Sequence, residues 1–329
     1  NNTSTKSNFS GVSMNEDKTR ASFDQIGFVY SNKIGNNTSL RFVNFGFNYH
    51  KSKNFNRLFS MGGALDNLSQ SFQLAQEMER YGLTESEFND ILDVKNPYTK
   101  YWNQLPVLGV MGVRTGVVDW VNDSEKNIHA PWGWNGFNNN FFSKETGGIS
   151  QYDFNVSFNI EDRVYLGATL GVYDVNYDRY TSYTENLNDD NGADNGGYTL
   201  DNYYRLEGTG MDLKLGVIIR PIESSPFRLG FAVHTPTWYD LRESYNAALS
   251  SDILACEAPY NQTLSDFLVT PEYDYLTYDY NLTTPWKFNI SAGTTFAGAV
   301  AVGAEYEYQD YSSSKLKDVD GYELGDQPS

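Results

Sequence analysis

From Arg163 to Tyr180 apolar and polar residues alternate one by one. Val164, Leu166, Ala168, Leu170 and Val172 fall on one face of an extended chain, and Arg163, Tyr165, Gly167, Thr169 and Gly171 fall on the other. A period of two marks a β-strand with unlike faces. From Asp174 onward the apolar face turns polar, through Asn176 and Asp178, while nothing in the sequence ends the strand. The apolar stretch is thus about nine residues long, which is what a tilted strand needs to cross the hydrocarbon layer of a bilayer.

The same alternation recurs along the chain. Tyr152, Phe154, Val156, Phe158 and Ile160 oppose Asp153, Asn155, Ser157 and Asn159. Met211, Leu213, Leu215, Val217 and Ile219 oppose Asp212, Lys214, Gly216, Ile218 and Arg220, and Leu229, Phe231 and Val233 oppose Arg228, Gly230, Ala232 and His234. Val43, Phe45, Phe47 and Tyr49 stand against Asn44, Gly46, Asn48 and His50. Nearer the C-terminus, Lys287, Asn289, Ser291, Glu305 and Glu307 take the polar side. Candidate strands therefore run near residues 20–33, 38–50, 147–160, 163–180, 199–220, 226–240, 285–296 and 299–312, with a weaker one near 8–14.

A soluble two-sheet sandwich alternates too, so the connections have to decide. Tight ones sit at 33–37, 161–163, 221–226 and 297–299, and between them lie long excursions at about 52–147, 181–199 and 240–284. Short turns at one end and long loops at the other are the build of an outer-membrane barrel. The pattern predicts an all-β fold: a transmembrane antiparallel β-barrel with about 8–9 strands in this chain and a helical insertion in an extracellular loop. Residues 1–329 then form one β-barrel domain, with 51–146 as the long extracellular loop. Val164, Leu166, Leu170, Phe154, Phe158, Leu213, Val217, Leu229, Phe231, Phe288 and Ile290 are expected to face lipid. Tyr239 and Trp286, on outward parities, and Tyr177 and Tyr180, just beyond the apolar span, are expected to form an aromatic girdle.

In the first excursion Leu65, Leu68, Phe72, Ala75 and Met78 recur at helical spacing, and Thr84 with Glu87 reads as the capping box of a second short helix. Composition fits this reading: 25 Tyr, 20 Phe, 6 Trp and 28 Gly favour strands and turns. The longest apolar run, Leu105 to Val113, is too short to cross a membrane as a helix. A formal charge of -18 repels nucleic acid, and a single cysteine, Cys256, excludes an internal disulfide framework. The first residues carry no basic then apolar leader, so a signal peptide is expected to be removed or to lie outside this stretch.

Candidate chemistry is sparse. His50, His129 and His234 are too dispersed for a metal-ligand spacing, no glycine-rich phosphate loop is present, and no serine motif accompanies His234 and Asp212. The acidic stretch at 188–197 lacks the spacing and closing glutamate of a calcium loop. No catalysis, metal or cofactor is expected. The polar residues Asp212, Lys214, Arg228 and His234 are instead read as lumen side chains that pair across strands. The 221–226 turn is expected to bring Asp212 and His234 close together, within one step of register. Pro236 cannot donate to a ladder, so a wall distortion is expected there.

The segments "LRFVNFGFNYHKSKNFNR", "YRLEGTGMDLKLGVIIRP", "FRLGFAVHTPTWYDL" and "GAEYEYQDYS" resemble the FadL/TodX family of outer-membrane transport proteins, in its hemin receptor-like branch. The resemblance covers most of the chain from about Ser22 to Ser312. It implies a barrel of about fourteen strands, plugged by an N-terminal hatch, that moves long-chain fatty acids or similar hydrophobic molecules inward across the outer membrane of a Gram-negative bacterium. The hatch and the last strands are not recognisable here, so the chain is expected to be a fragment of such a barrel. Phe72, Tyr81, Phe88, Tyr101 and Trp102 are the candidates for first capture of the ligand. Expected partners are a hydrophobic small molecule and outer-membrane lipid or lipopolysaccharide. Other outer-membrane proteins are further candidate partners, and a second reading is an interaction or shuttle protein that docks secreted proteins on its long loops.

Overall fold

The alternating segments become strands, and several run far beyond the stretch that the alternation of apolar residues marks. The computed structural model describes residues 2–19, 23–35, 37–101, 104–125, 128–189, 191–254, 261–263, 277–296 and 299–324. A polar hairpin comes first, β1 (Asn2–Phe9) and β2 (Val12–Thr19), turning at Ser10 and Gly11. Next are β3 (Gln25–Lys33), β4 (Leu40–Asn54) and β5 (Arg57–Ala64). A helical insertion follows: α1 (Gln70–Arg80), α2 (Glu85–Asp93), α3 (Pro97–Lys100) and α4 (Val107–Arg114), closed by a small hairpin of β6 (Asp119–Asp123) and β7 (Ile128–Trp132). Three very long strands then run as β8 (Asn135–Ile160), β9 (Val164–Asn188) and β10 (Asp194–Ile219). The rest are β11 (Arg228–His234), β12 (Trp238–Ser251), β13 (Asn261–Thr263), β14 (Thr277–Thr283), β15 (Lys287–Phe296), β16 (Val300–Gln309) and β17 (Lys315–Asp318).

Thirteen of these strands form one large curled antiparallel sheet. Its lower half is an unbroken row, β16-β15-β11-β10-β9-β8-β4-β3, whose four hairpin turns all lie at one end. On one side of this half apolar residues line up across strands, as in Phe47, Phe154, Leu170 and Leu213. We call this the far side; the other, the cap side, carries the polar set. Of the eleven apolar residues expected to face lipid, Leu166, Leu170, Phe154, Leu213, Phe231, Phe288 and Ile290 are exposed and the rest are partly exposed. Among the described residues no second sheet covers them.

The upper half corrects the expected loops. Residues 181–199 are not a long loop, because β9 and β10 stay paired to Asn188 and Asp194. The excursion from 240 likewise begins as β12, paired with β10 as far as Tyr198 opposite Ser251. The reason is a reversal of polarity along each strand. On the far side β9 continues as Asp174, Asn176, Asp178, Ser182 and Thr184, while the cap side becomes apolar at Leu187, Tyr198, Leu200, Ala247 and Leu249. Those side chains are buried against the helices, so the sheet keeps one apolar face and merely exchanges which one it is.

The helices form a single core with the strand tips. Leu74, Met78, Phe88, Ile91, Met111 and Val118 meet Leu187, Leu200 and Leu249 in it. The helix starts follow local chemistry: Ser69 caps α1, so Leu65 and Leu68 fall before the helix, and Leu68 is exposed. Thr84 and Glu87 close both hydrogen bonds of a capping box on α2. α4, the apolar run too short to cross a membrane, is buried on nearly all sides. At Gly109 a Cβ would overlap the Met78 side chain, so the glycine lets α1 and α4 touch. At the end of α4, Arg114 donates to the carbonyls of Ile91, Leu92 and Val94 and so closes the C-terminus of α2.

Candidate functional site

The cap side of the lower half holds a connected set of polar side chains, because every second residue of each strand points there. Asp212 on β10 is 5% exposed. Its Oδ2 accepts from the Tyr173 hydroxyl at 2.7 Å, and Lys214 Nζ lies 3.7 Å from its Oδ1. Lys214 also donates to Asp153 Oδ1 at 3.1 Å, which accepts in turn from Gln151 Nε2 at 2.8 Å. His50 Nδ1 stands 3.7 Å from Asp153 Oδ2. Two carboxylates thus share one ammonium and several neutral donors, which is how a charge buried in a wall becomes tolerable. The close approach depends on Gly171, where a Cβ would sit 2.3 Å from Asp212 Oδ1. Farther down, Tyr165, Arg228, His234, Asn289, Glu305 and Glu307 line an open cavity of about 600 Å³.

Beside this cluster the wall breaks. Met211 pairs with Trp238 and Lys214 with His234, so two residues of β10 face three, Thr235 to Thr237, between β11 and β12. The neighbouring strand has three residues, Thr284 to Trp286, between β14 and β15. The next has five, Asp310 to Ser314, between β16 and β17, including a 3-10 turn at Tyr311–Ser313. The break therefore starts at β10 and widens away from it. Prolines stand in its first two strands, Pro236 and Pro285, where no ladder N–H is available. The gap is bridged by threonines: Thr235 N donates to Leu213 O at 2.9 Å, and Leu213 N donates to Thr235 Oγ1 at 3.0 Å.

One extra residue in a strand exchanges its faces. Tyr239, expected to point outward, lies on the cap side with its ring 5.7 Å from that of Tyr173. Trp238 takes the far side instead and is exposed, as is Trp286. Tyr177 also belongs to the cap side, against Phe55 and Tyr204, whereas Tyr180 lies on the far side with Tyr203. The aromatic row at the upper edge of the apolar band is therefore Tyr49, Tyr152 and Trp238, in register through Val172 and Met211. Tyr49 and Tyr152 were legible as the end members of their alternating runs, the last of one and the first of the other. Trp238 was not, because its parity depends on the bulge.

The expected Asp212–His234 pair is corrected in its register. Both residues lie on the cap side, but the register sets His234 directly opposite Lys214 and Lys287. Asp212 is held by Tyr173, Lys214 and, at 3.4 Å, the Thr237 hydroxyl. Among the described residues the imidazole–carboxylate approach within 4.0 Å on this face is His50 with Asp153, at 3.7 Å, which sequence reasoning missed because β4 and β8 are about a hundred residues apart. Arg228 sits lower, its guanidinium 5.8 Å from the Tyr165 ring centroid.

The aromatic residues expected to capture a ligand do not converge. Phe88 and Tyr101 are buried in the helical core, where the Tyr101 hydroxyl donates to Asp90 at 2.7 Å. Tyr81 is exposed at the end of α1, Phe72 meets Trp132 at the rim of a cap cavity, and Trp102 lies outside the described residues. Among the described residues no three His, Cys, Asp or Glu side chains gather to hold a metal ion. The acidic stretch at 188–197 contains a tight turn in which Asp189 accepts from the N–H groups of Asn191 and Ala193, contacts that hold its exposed carboxyl below the usual range.

Above the break the cap-side lining changes character. Tyr173, Tyr239, Tyr177 and Tyr204 follow one another up the wall, and the Tyr204 hydroxyl donates to Glu243 at 2.7 Å. Higher still, Glu185 is fully buried: its Oε2 accepts from the hydroxyls of Tyr183 at 2.8 Å and Tyr198 at 2.7 Å and from Gln70 N at 3.2 Å. That last bond ties the N-terminus of α1 to the tip of β9, where a negative charge is favourable. No family model matches this chain, and no match was found among curated proteins or solved structures.

Proposed function

We propose that the chain forms the wall and extracellular cap of an outer-membrane β-barrel of the FadL/TodX type, which moves hydrophobic small molecules such as long-chain fatty acids inward. The far side is then the lipid face, the cap side is the lumen, and the four tight turns point to the periplasm. The observation that carries this reading is the reversal of polarity within single strands. An exposed apolar band ends at the row of Tyr49, Tyr152 and Trp238, and above it the far side turns polar. Water on both faces would leave that band uncovered, whereas a bilayer covers it at no cost. In this reading no catalytic group is needed, since a hydrophobic solute partitions into apolar sites and leaves sideways where the wall is weak. The break at Pro236 and Pro285, flanked by the exposed far-side groove of Leu215, Phe231 and Phe288, is the place for that exit.

Uptake of radiolabelled oleate tests it. Cells with the protein in the outer membrane should take up oleate faster than cells without it. A disulfide between Thr237→Cys and Thr284→Cys, in a Cys256→Ser background, should slow uptake until it is reduced. Correctly inserted protein that leaves oleate uptake unchanged would overturn the transport reading. The second reading, a docking surface for secreted proteins, has one observation on its side: Phe88 and Tyr101 are consumed in the packing of the cap and offer nothing to a solute.

A further inference from the structure

The cap holds a cavity that neither the wall nor the break explains. About 500 Å³ in volume, it opens between α1, the β6–β7 hairpin and the tips of β8 and β9. Its aromatic lining is Phe72, Trp132 and Trp134, and its polar lining includes Asp119, Asn135 and Asn188. Trp134 is fixed, its Nε1–H donating to Gly116 O at 2.8 Å and its N–H to Ser71 Oγ at 2.8 Å. The Phe72 and Trp132 rings stand edge to face with centroids 5.7 Å apart, and Trp132 remains 41% exposed. Asn135 and Asn188 are register partners at the strand tips, and among the described residues their side-chain amides have no hydrogen-bond partner.

We propose that this cavity binds a saccharide. A pyranose ring presents a face of polarised C–H groups that packs on an indole and an edge of hydroxyls that both donate and accept. Trp132 supplies the first surface. Asn135 and Asn188 each offer two donors and an acceptor, and the Asp119 carboxylate takes hydroxyl protons. Other ligand classes fit less well. Among the described residues the lining contains no lysine or arginine, so a phosphate or carboxylate finds no counter-charge. An organic cation would want carboxylates free to face it, yet each of the three in the described lining is engaged by the backbone. Asp119 accepts from Trp120 N, Asp123 from Glu125 N and Asp189 from Asn191 N and Ala193 N, which leaves Asp119 one oxygen for a hydroxyl, and amide N–H groups repel a cation. The sugar can come from a free glycan or from the core of lipopolysaccharide, which share this chemistry. The site is independent of transport through the wall.

Isothermal titration of the purified full chain with cellobiose, lactose, de-acylated lipopolysaccharide core oligosaccharide and tetramethylammonium tests this. Binding of a disaccharide or of the core oligosaccharide is expected, and which of them binds identifies the source. Trp132→Ala should weaken it at least about tenfold, the loss of one aromatic contact. Asn188→Ala serves as the second variant should Trp132→Ala not fold, and should weaken binding several-fold. Binding of none of the saccharides, binding of tetramethylammonium alone, or saccharide affinity unchanged in a folded variant would each overturn the proposal.

Discussion

Thr237 and Thr284 are joined by two hydrogen bonds across strands that each break beside a proline: Thr237 N donates to Thr284 Oγ1 at 2.8 Å, and Thr284 N donates to Thr237 O at 3.1 Å. The pair holds the edges of a fault together, while the residue count of the fault decides which way every side chain above it points.

Deleting a residue should therefore do more harm than replacing it. Pro236→Ala keeps three residues in the gap and should lower stability by no more than about 1 kcal/mol. Deletion of Pro236 leaves two, which would turn Tyr239 away from Tyr173 and drive Trp238 into the cap side. Thermal unfolding in detergent, followed by circular dichroism, should show a native-like transition for the first variant and none for the second. Similar melting of the two would refute the parity argument.

Two glycines of β9 should differ sharply. In Gly171→Ala the new methyl meets the Asp212 carboxylate, whereas at Gly167 the nearest atom is Ser157 Cβ at 4.0 Å. Gly171→Ala is expected to cost about 1–3 kcal/mol by displacing Asp212 from Tyr173, and Gly167→Ala to be close to neutral. Denaturant midpoints of the two variants are the check, and equal midpoints would mean that the Asp212 contacts contribute nothing.

Removal of the buried carboxylate at the strand tip should loosen the cap. Glu185→Ala leaves the hydroxyls of Tyr183 and Tyr198 and the N–H of Gln70 without their acceptor, at about 1–3 kcal/mol for each group that stays buried and unpaired. Limited proteolysis should then cut within residues 65–134 much faster than in the parent protein, with the strands below still protected. Unaltered cleavage would show that the helices do not hang on Glu185.

Alkaline pH should act on the same region. Burial and the neighbouring Glu185 push the Tyr198 and Tyr183 hydroxyls well above the ordinary tyrosine range, burial does the same at Tyr98, and burial raises Tyr245 to about 12. A group whose folded pKa is raised adds stability that is complete below its unfolded pKa, near 10, and is lost as pH rises above it. The cap should be insensitive to pH from neutrality to about 10 and weaken beyond. Phenolate absorbance should show a set of tyrosines that titrates only as the cap opens. A single transition near 10 for all tyrosines would contradict the burial of these four.

Much of the fold was legible because a strand with unlike faces writes a period of two into its own sequence. The alternation on β8, β9, β10 and β11, the four tight turns and the capping box of α2 needed nothing but neighbouring residues. What lay beyond was set by partners distant in the chain. Residues 181–199 read as loop because their far side is polar, and only the helices packed on Leu187 and Leu200 make the other face worth burying. Phe88 and Tyr101 read as ligand contacts because an aromatic residue in an amphipathic helix does not say what it will touch; the packed cap core claims both. The sequence by itself determined which faces of the lower strands are apolar, since parity is local. The facing of Tyr239 and Trp238, the partners of His234 and the pairing of His50 with Asp153 were decided by tertiary structure, because a single inserted residue and the register between strands are properties of the assembled sheet.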